Sequence, residues 1–335
     1  MSKPTSPLAS FAAFRPDGFT LALIATVALA SFLPASGAAS SVADDVVTGA
    51  IVLLFFLHGA RLSRDAVLAG LFHWRLHLVI LALTFAVFPL FGLALKPLAL
   101  PLLGPSLYLG LLFLCCLPST VQSSIAFTSI ARGNVPAAVC AASASNLFGI
   151  ALTPLLTGVL LARQGATSSA VGTIATELLL PFLAGQLLRP WVGAWVVRRK
   201  VLLSLVDRGA ILLMVYTAFS KAVIGGIWTQ MSETELIALA ALCCLLLAVV
   251  IGLATLAARR LGFSTEDEIA IVFCGSKKSL VTGVPMANVL FGGAAAGVIV
   301  LPLMIFHQIQ LLVCAVLARR YARRPETKPS LEPAE

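Results

Sequence analysis

Two lysines stand side by side in an apolar stretch of this 335-residue chain: Lys277 and Lys278, within FCGSKKSLVTG (273–283). IAIVF leads into the pair and LVTGVPMANVLF follows it. Ammonium groups in such a setting can do three kinds of chemistry. One can stand in for a metal cation, filling its place with a tethered charge. One can take up and release a proton, as a coupling group. One can pair with a carboxylate, sulfate or phosphate of a bound molecule. The bland alternative is a lysine that snorkels to an interface or pairs locally. Lys at a bilayer centre costs about 2.5–3.5 kcal/mol on insertion scales, which argues against that reading for two in a row. Neighbouring side chains on a helix diverge by about 100°, so the two lysines are expected to have different jobs.

The elements that hold them are membrane helices. The chain is 59% hydrophobic and 11% charged, with a mean hydropathy of +1.02, whereas a soluble domain is about a quarter charged. Composition therefore predicts an all-α polytopic membrane protein. A spanning helix needs roughly 20 apolar residues. Ten segments qualify: 18–35, 44–61, 76–96, 104–131, 135–162, 168–189, 207–226, 234–258, 266–291 and 293–318. Arg61, Arg64, Arg132, Arg199, Arg259 and Arg320 then fall on the same side as the N-terminus, with only Lys96 and Arg163 opposite. That bias predicts cytoplasmic N- and C-termini. The expected organisation is a cytoplasmic N-terminus (1–17), a first five-helix repeat (18–162), a second (163–318) and a disordered cytoplasmic tail (319–335). No cleavable leader is read before the first apolar run.

Several classes of function fall away. The net charge of +9 comes without a basic stripe interleaved with aromatics, so no nucleic-acid partner is expected. The seven cysteines lie in apolar segments with no disulfide or zinc spacing. No H-E-x-x-H, G-x-S-x-G, Walker-type loop or pair of intramembrane aspartates suggests an enzyme.

The fourth and ninth segments share one feature. VQSSIAFTSIARGN (121–134) and SKKSLVTGVPMANV (276–289) each interrupt an apolar span at the same ordinal place in their half. Aligned without gaps, Gln122 faces Lys277, Ser123 faces Lys278 and Ser124 faces Ser279. Paired interruptions of this kind point to a transporter's binding site. Broken helices survive only where protein or a water-filled cavity covers them, and Pro118, Gly275 and Gly283 suit such breaks. Thr120 and Gln122 adjoin the first interruption, and Ser276, Ser279 and Thr282 flank the lysines. HQIQ (307–310) adds His307 and Gln308 from the tenth segment. Ser145 and Asn146 either line the site or bond across to neighbouring helices. Glu177 and Lys221 are read as cavity residues or as each other's counter-charge. Asp207 and Arg208 are read as interface anchors, and His58, His73 and His77 as interfacial.

LPSTVQSSIAFTSIARGNVPAAVCAASASNLFGIALTPLLTG (117–158), EIAIVFCGSKKSLVTGVPMANVLF (268–291) and LLLPFLAGQLLRPW (178–191) resemble the bile acid:sodium symporter family. The closer likeness is to its bacterial branch, related to the seventh human member of solute carrier family 10, which implies a place in a bacterial inner membrane. The resemblance implies ten transmembrane helices as two inverted five-helix repeats. Helices one, two, six and seven would form a panel domain. The others would form a core domain, with broken fourth and ninth helices crossing in it. It also implies two sodium ions behind the crossing, and an organic anion between core and panel. By resemblance the ion ligands fall near Ser123, Ser124 and Ser143, with Ser145 a further candidate. Where the family has a Glu on the ninth helix this chain has Phe273 or Cys274, and where it has Gln-Asn this chain has Lys277-Lys278. The expectation is a secondary active transporter, sodium/bile acid symporter-like, moving a small organic anion by alternating access, with membrane lipid around it. A sodium-independent or proton-coupled carrier, a channel, and a transporter-like regulator of calcium homeostasis remain as alternatives.

Overall fold

The computed structural model describes residues 18–61, 73–162, 180–226 and 231–324. Segment 1–17, Glu177, the first part of the sixth expected segment and the tail from residue 325 lie outside the described residues. The regular structure of the described residues is all helical, with no strand. In chain order the helices are α1 (Gly18–Phe32), α2 (Ala38–Arg61), α3 (Trp74–Ala94), α4 (Lys96–Cys116), α5 (Gln122–Ile130) and α6 (Val135–Ala162). Then follow α7 (Leu180–Arg198), α8 (Lys200–Ile224), α9 (Glu233–Arg260), α10 (Thr265–Gly275), α11 (Leu280–Phe291) and α12 (Gly293–Ala322). Among the described residues 8 helical stretches are long and apolar enough to cross a membrane, with α10 and α11 together counted as one. The apolar run of α1, Leu21–Phe32, is shorter, and α7 occupies the described part of the sixth expected segment.

Local chemistry sets the boundaries. Ser232 caps α9 through a capping box: its hydroxyl accepts from the Glu235 N–H, and the Glu235 carboxylate accepts from the Ser232 N–H. Arg259 and Arg260 in the last turn of α9 complement its dipole. Ser264 caps α10, whose first turn carries Glu266, Asp267 and Glu268. Helix α4 begins earlier than the expected 104, but its opening stretch is bent away at Gly104, which has φ 69° between Pro101 and Pro105. The bend restores the expected start for the straight part.

Helices α2 and α7 pack with their backbones nearly touching. A Cβ on Gly59 would strike the Phe182 carbonyl oxygen, and one on Gly185 would strike the Phe56 carbonyl oxygen. Small residues at both positions allow this approach, as membrane helices require. Helix α8 packs against that pair, and α1 packs against α8. The middle of the stretch from α10 to α11, Glu268 to Ala287, is buried except for the half-buried Val281, wrapped by α3, α5, α6, α8, α9 and α12. The lysines therefore never face lipid.

Candidate functional site

Both interruptions are true breaks in the helical backbone. Residues 117–121 separate α4 from α5, and residues 276–279 separate α10 from α11. The breaks touch each other: the Ser279 N–H donates to the Pro118 carbonyl at 2.9 Å. Two positional expectations are corrected here. The gapless alignment of Gln122 with Lys277 is out of step, because Gln122 already opens α5 whereas Lys277 lies inside its break. The polar run Gln-Ser-Ser belongs to a helix, and Pro118 marks the gap. The lysines are also not two successive positions of a helix, since both occupy non-helical backbone.

A helix that ends inside a membrane leaves its last carbonyls without intrahelical partners. At the end of α4 each finds one. The Cys115 and Leu117 carbonyls accept from Lys278 Nζ at 2.8 and 2.7 Å. The Cys116 carbonyl accepts from Thr153 Oγ1 at 2.9 Å, and the Ser119 carbonyl from Asn146 Nδ2 at 2.7 Å. Ser145 accepts from the Ser119 N–H at 3.0 Å. At the end of α10, Ser276 Oγ donates to the Val272 carbonyl and Ser124 Oγ to the Phe273 carbonyl. The peptide of Lys278 is clasped by Gln310, which accepts from its N–H at 2.9 Å and donates to its carbonyl at 3.0 Å. Gln310 Nε2 also lies 2.9 Å from His307 Nδ1.

A cavity of about 420 Å³ opens against one side of the crossing. Thr120 from the first break, with Gln122 and Ser123 at the start of α5, lines it, as do Ser279 from the second break and Thr282 at the start of α11. Ser143 and Asn146 from α6 and His307 from α12 complete that wall. Thr282 Oγ1 donates to Asn146 Oδ1 at 2.9 Å, so Asn146 ties both breaks together. The opposite wall carries Phe55, Arg61, Phe182, Asp207 and Arg208. Arg61 and Asp207 form an ion pair at 2.6 Å, and the Arg208 guanidinium lies 5.6 Å from the Phe19 ring centroid.

The expected site residues thus divide. Ser124, Ser145, Ser276, Lys277 and Lys278 lie behind the cavity in the packed crossing, and Gln308 is not on the cavity wall. Lys277 and Lys278 have 0% exposure, so neither reads a molecule in the cavity or snorkels to an interface. Their surroundings differ: among the described residues Lys277 Nζ has no hydrogen-bond partner, and it sits over the Phe127 ring at 4.0 Å and the Phe273 ring at 5.5 Å. Asp207 is no interface anchor but a cavity residue held by Arg61. Lys221 takes Asp44 as its counter-charge at 2.6 Å. His58 lines the cavity with its ring bonded to the Leu54 carbonyl, His77 is buried, and only His73 stays exposed. Sequence reasoning missed Gln310, Arg61 and Phe182. HQIQ did signal a polar cluster on α12, and its deepest member is the last.

Comparison with known proteins follows the same lines. Residues 17–323 match the model of the SBF-like CPA transporter family. "Uncharacterized protein PA2026" of Pseudomonas aeruginosa is 63% identical over 314 residues, covering 93% of this chain and 94% of that one. "Putative symporter YfeH" of Escherichia coli (strain K12) is 55% identical over 315 residues, covering 92% and 94%. The sodium/bile acid cotransporter 7 of Rattus norvegicus is 28% identical over 320 residues, covering 90% and 92%. The resemblance to bile acid:sodium symporters holds across almost the whole chain, with the relatives' names indicating a transporter rather than an enzyme. The chain belongs to the SBF-like CPA transporter family.

Proposed function

We propose that the chain is a secondary active transporter of the inner membrane that carries an organic anion through this cavity by alternating access. The observation that carries the reading is that the N-terminal turns of α5 and α11 open into one cavity whose far wall holds Arg61 and Arg208. Each helix N-terminus presents free N–H groups and roughly half a positive charge, the device transporters use for anionic substrates. Phe19, Phe55, Phe182 and Ile211 supply apolar wall for the body of such a molecule. A cavity of about 420 Å³ falls within the range of about 300–1,000 Å³ usual for small-molecule sites.

In this reading the ten segments form two inverted five-helix repeats. The α4–α5 and α10–α11 breaks are equivalent, α1, α2, α7 and α8 form the panel, and the rest form the core. Arg61, Asp207 and Arg208 sit at the end of the cavity that the Lys/Arg bias assigns to the cytoplasm, so the cavity is open inward. The core would move against the panel to expose the crossing outward.

The test is uptake by the purified protein in sealed liposomes, with cholate and a steroid sulfate as probes. Saturable uptake that Arg208→Gln weakens is the expected result. Uptake no faster than in protein-free liposomes, with neither probe raising the melting temperature, would overturn the reading.

A further inference from the structure

The Lys278 ammonium sits in a cage of three backbone carbonyls. Nζ donates to Thr84 at 2.8 Å, Cys115 at 2.8 Å and Leu117 at 2.7 Å. A lysine ammonium has three donors and no acceptor, so every donor is used. The face of the Phe88 ring, 4.1 Å away, covers the remaining side. The whole residue has 0% exposure, and among the described residues no carboxylate pairs with it.

The three oxygens are free for separate reasons. The Cys115 and Leu117 carbonyls are orphaned because α4 stops there, and the negative end of the helix dipole gathers at the same point. Thr84 lies in a π-helical turn, Leu83–Val87, within α3. In an α-helical register the Phe88 N–H would reach Thr84, but it bonds to Leu83 instead. In the π register the next donor would come from residue 89, which is Pro89 and has no N–H. Backbone geometry on two different helices has therefore built a set of hard oxygen ligands, of the kind that replaces the hydration shell of a monovalent cation.

We propose that this cage is a monovalent-cation site which the chain fills with its own ammonium, so that the native protein has no vacancy for sodium there and its stability does not respond to sodium. Lys278 Nζ supplies the cationic group to these three oxygens from a covalent tether. Lys277, over its aromatic rings and away from these oxygens, takes no part. The inference concerns the ion behind the crossing and is independent of what the cavity carries.

The experiment uses the full-length purified protein, melted in sodium, ammonium, methylammonium or choline chloride at equal ionic strength. The wild type is expected to melt at the same temperature in all four. Lys278→Ala opens the cage and should melt lower in choline. Sodium, ammonium or methylammonium should return at least half of the lost melting temperature. Lys278→Met fills the stem's volume without charge and should melt lower with no cation response. A cation response of equal size in Lys278→Ala and Lys278→Met, or none in Lys278→Ala, would overturn the proposal. Should Lys278→Ala fail to fold, the wild type alone decides: a sodium-specific shift overturns the proposal, and its absence supports it. None of these readouts uses transport, so failure of the anion reading would leave them standing.

Discussion

Gln310 offers the sharpest test of how the crossing is held. Its side-chain amide accepts from the Lys278 N–H at 2.9 Å and donates to the Lys278 carbonyl at 3.0 Å, and the residue is fully buried. Gln310→Leu keeps nearly the same volume, so packing should change little, yet it removes both partners at once. Each buried backbone group left unpaired costs about 1–3 kcal/mol, so the substitution should cost about 2–6 kcal/mol. At roughly 2–4 °C per kcal/mol, the purified variant should melt at least ~4 °C lower. Val316→Ala, on an exposed part of the same helix, should melt with the wild type. A second readout is local. Cys115 and Cys116 are buried beside the break, and their reaction with a maleimide should quicken in Gln310→Leu. A variant that melts with the wild type and keeps its thiols protected would refute the claim that this amide clasps the break.

Other expectations follow from the same contacts. Lys277→Met removes a buried ammonium that has ring faces beside it and, among the described residues, no hydrogen-bond partner. It should leave the melting temperature unchanged or raised, and a fall above ~5 °C would contradict this. Gly59→Val and Gly185→Val should each drive α2 and α7 apart and abolish recovery of monodisperse protein by size exclusion, since the added carbons meet backbone. Asp207→Asn should free Arg61 within the cavity, and cholate titrated against the melting temperature should then bind at lower concentration than to the wild type. Asn146→Ala should lower stability by breaking the link from Ser119 to Thr282, and thermal melts would show a loss comparable to that of Gln310→Leu.

Composition and hydropathy made the helical segments legible, and polar interruption made both breaks visible. Their register was not. Sequence marks where polar residues fall, whereas a break is fixed by which carbonyls lose their N–H partners. The run Gln122–Ser123–Ser124 caught the eye, while Pro118 set the gap. The lysines were found as a pair, but their division of labour depends on non-helical backbone sending one to carbonyls and the other to aromatic rings. Arg61 and Asp207 are 146 residues apart, and nothing local in either announces the ion pair. The close passage of α2 and α7 likewise rests on Gly59 and Gly185 meeting across the structure, while each alone is an ordinary membrane-helix glycine. The π-helical turn is hidden for a similar reason: Phe-Pro at 88–89 explains the free Thr84 carbonyl only once Lys278 is seen to need it.

The carbonyl cage around Lys278 has an electrical consequence. A cation bound from solution travels with the substrate and is released, so its charge is carried across the membrane. A covalently tethered ammonium returns with the protein in every cycle, and its net displacement is zero. A monovalent anion moved by such a carrier would cross with no accompanying charge. A potential of 100 mV, negative inside, acts on that anion with about 2.3 kcal/mol, an outward bias of roughly fifty-fold in concentration. On the proposed reading, a cage filled by lysine leaves that outward bias on a carried anion without a co-transported cation to offset it.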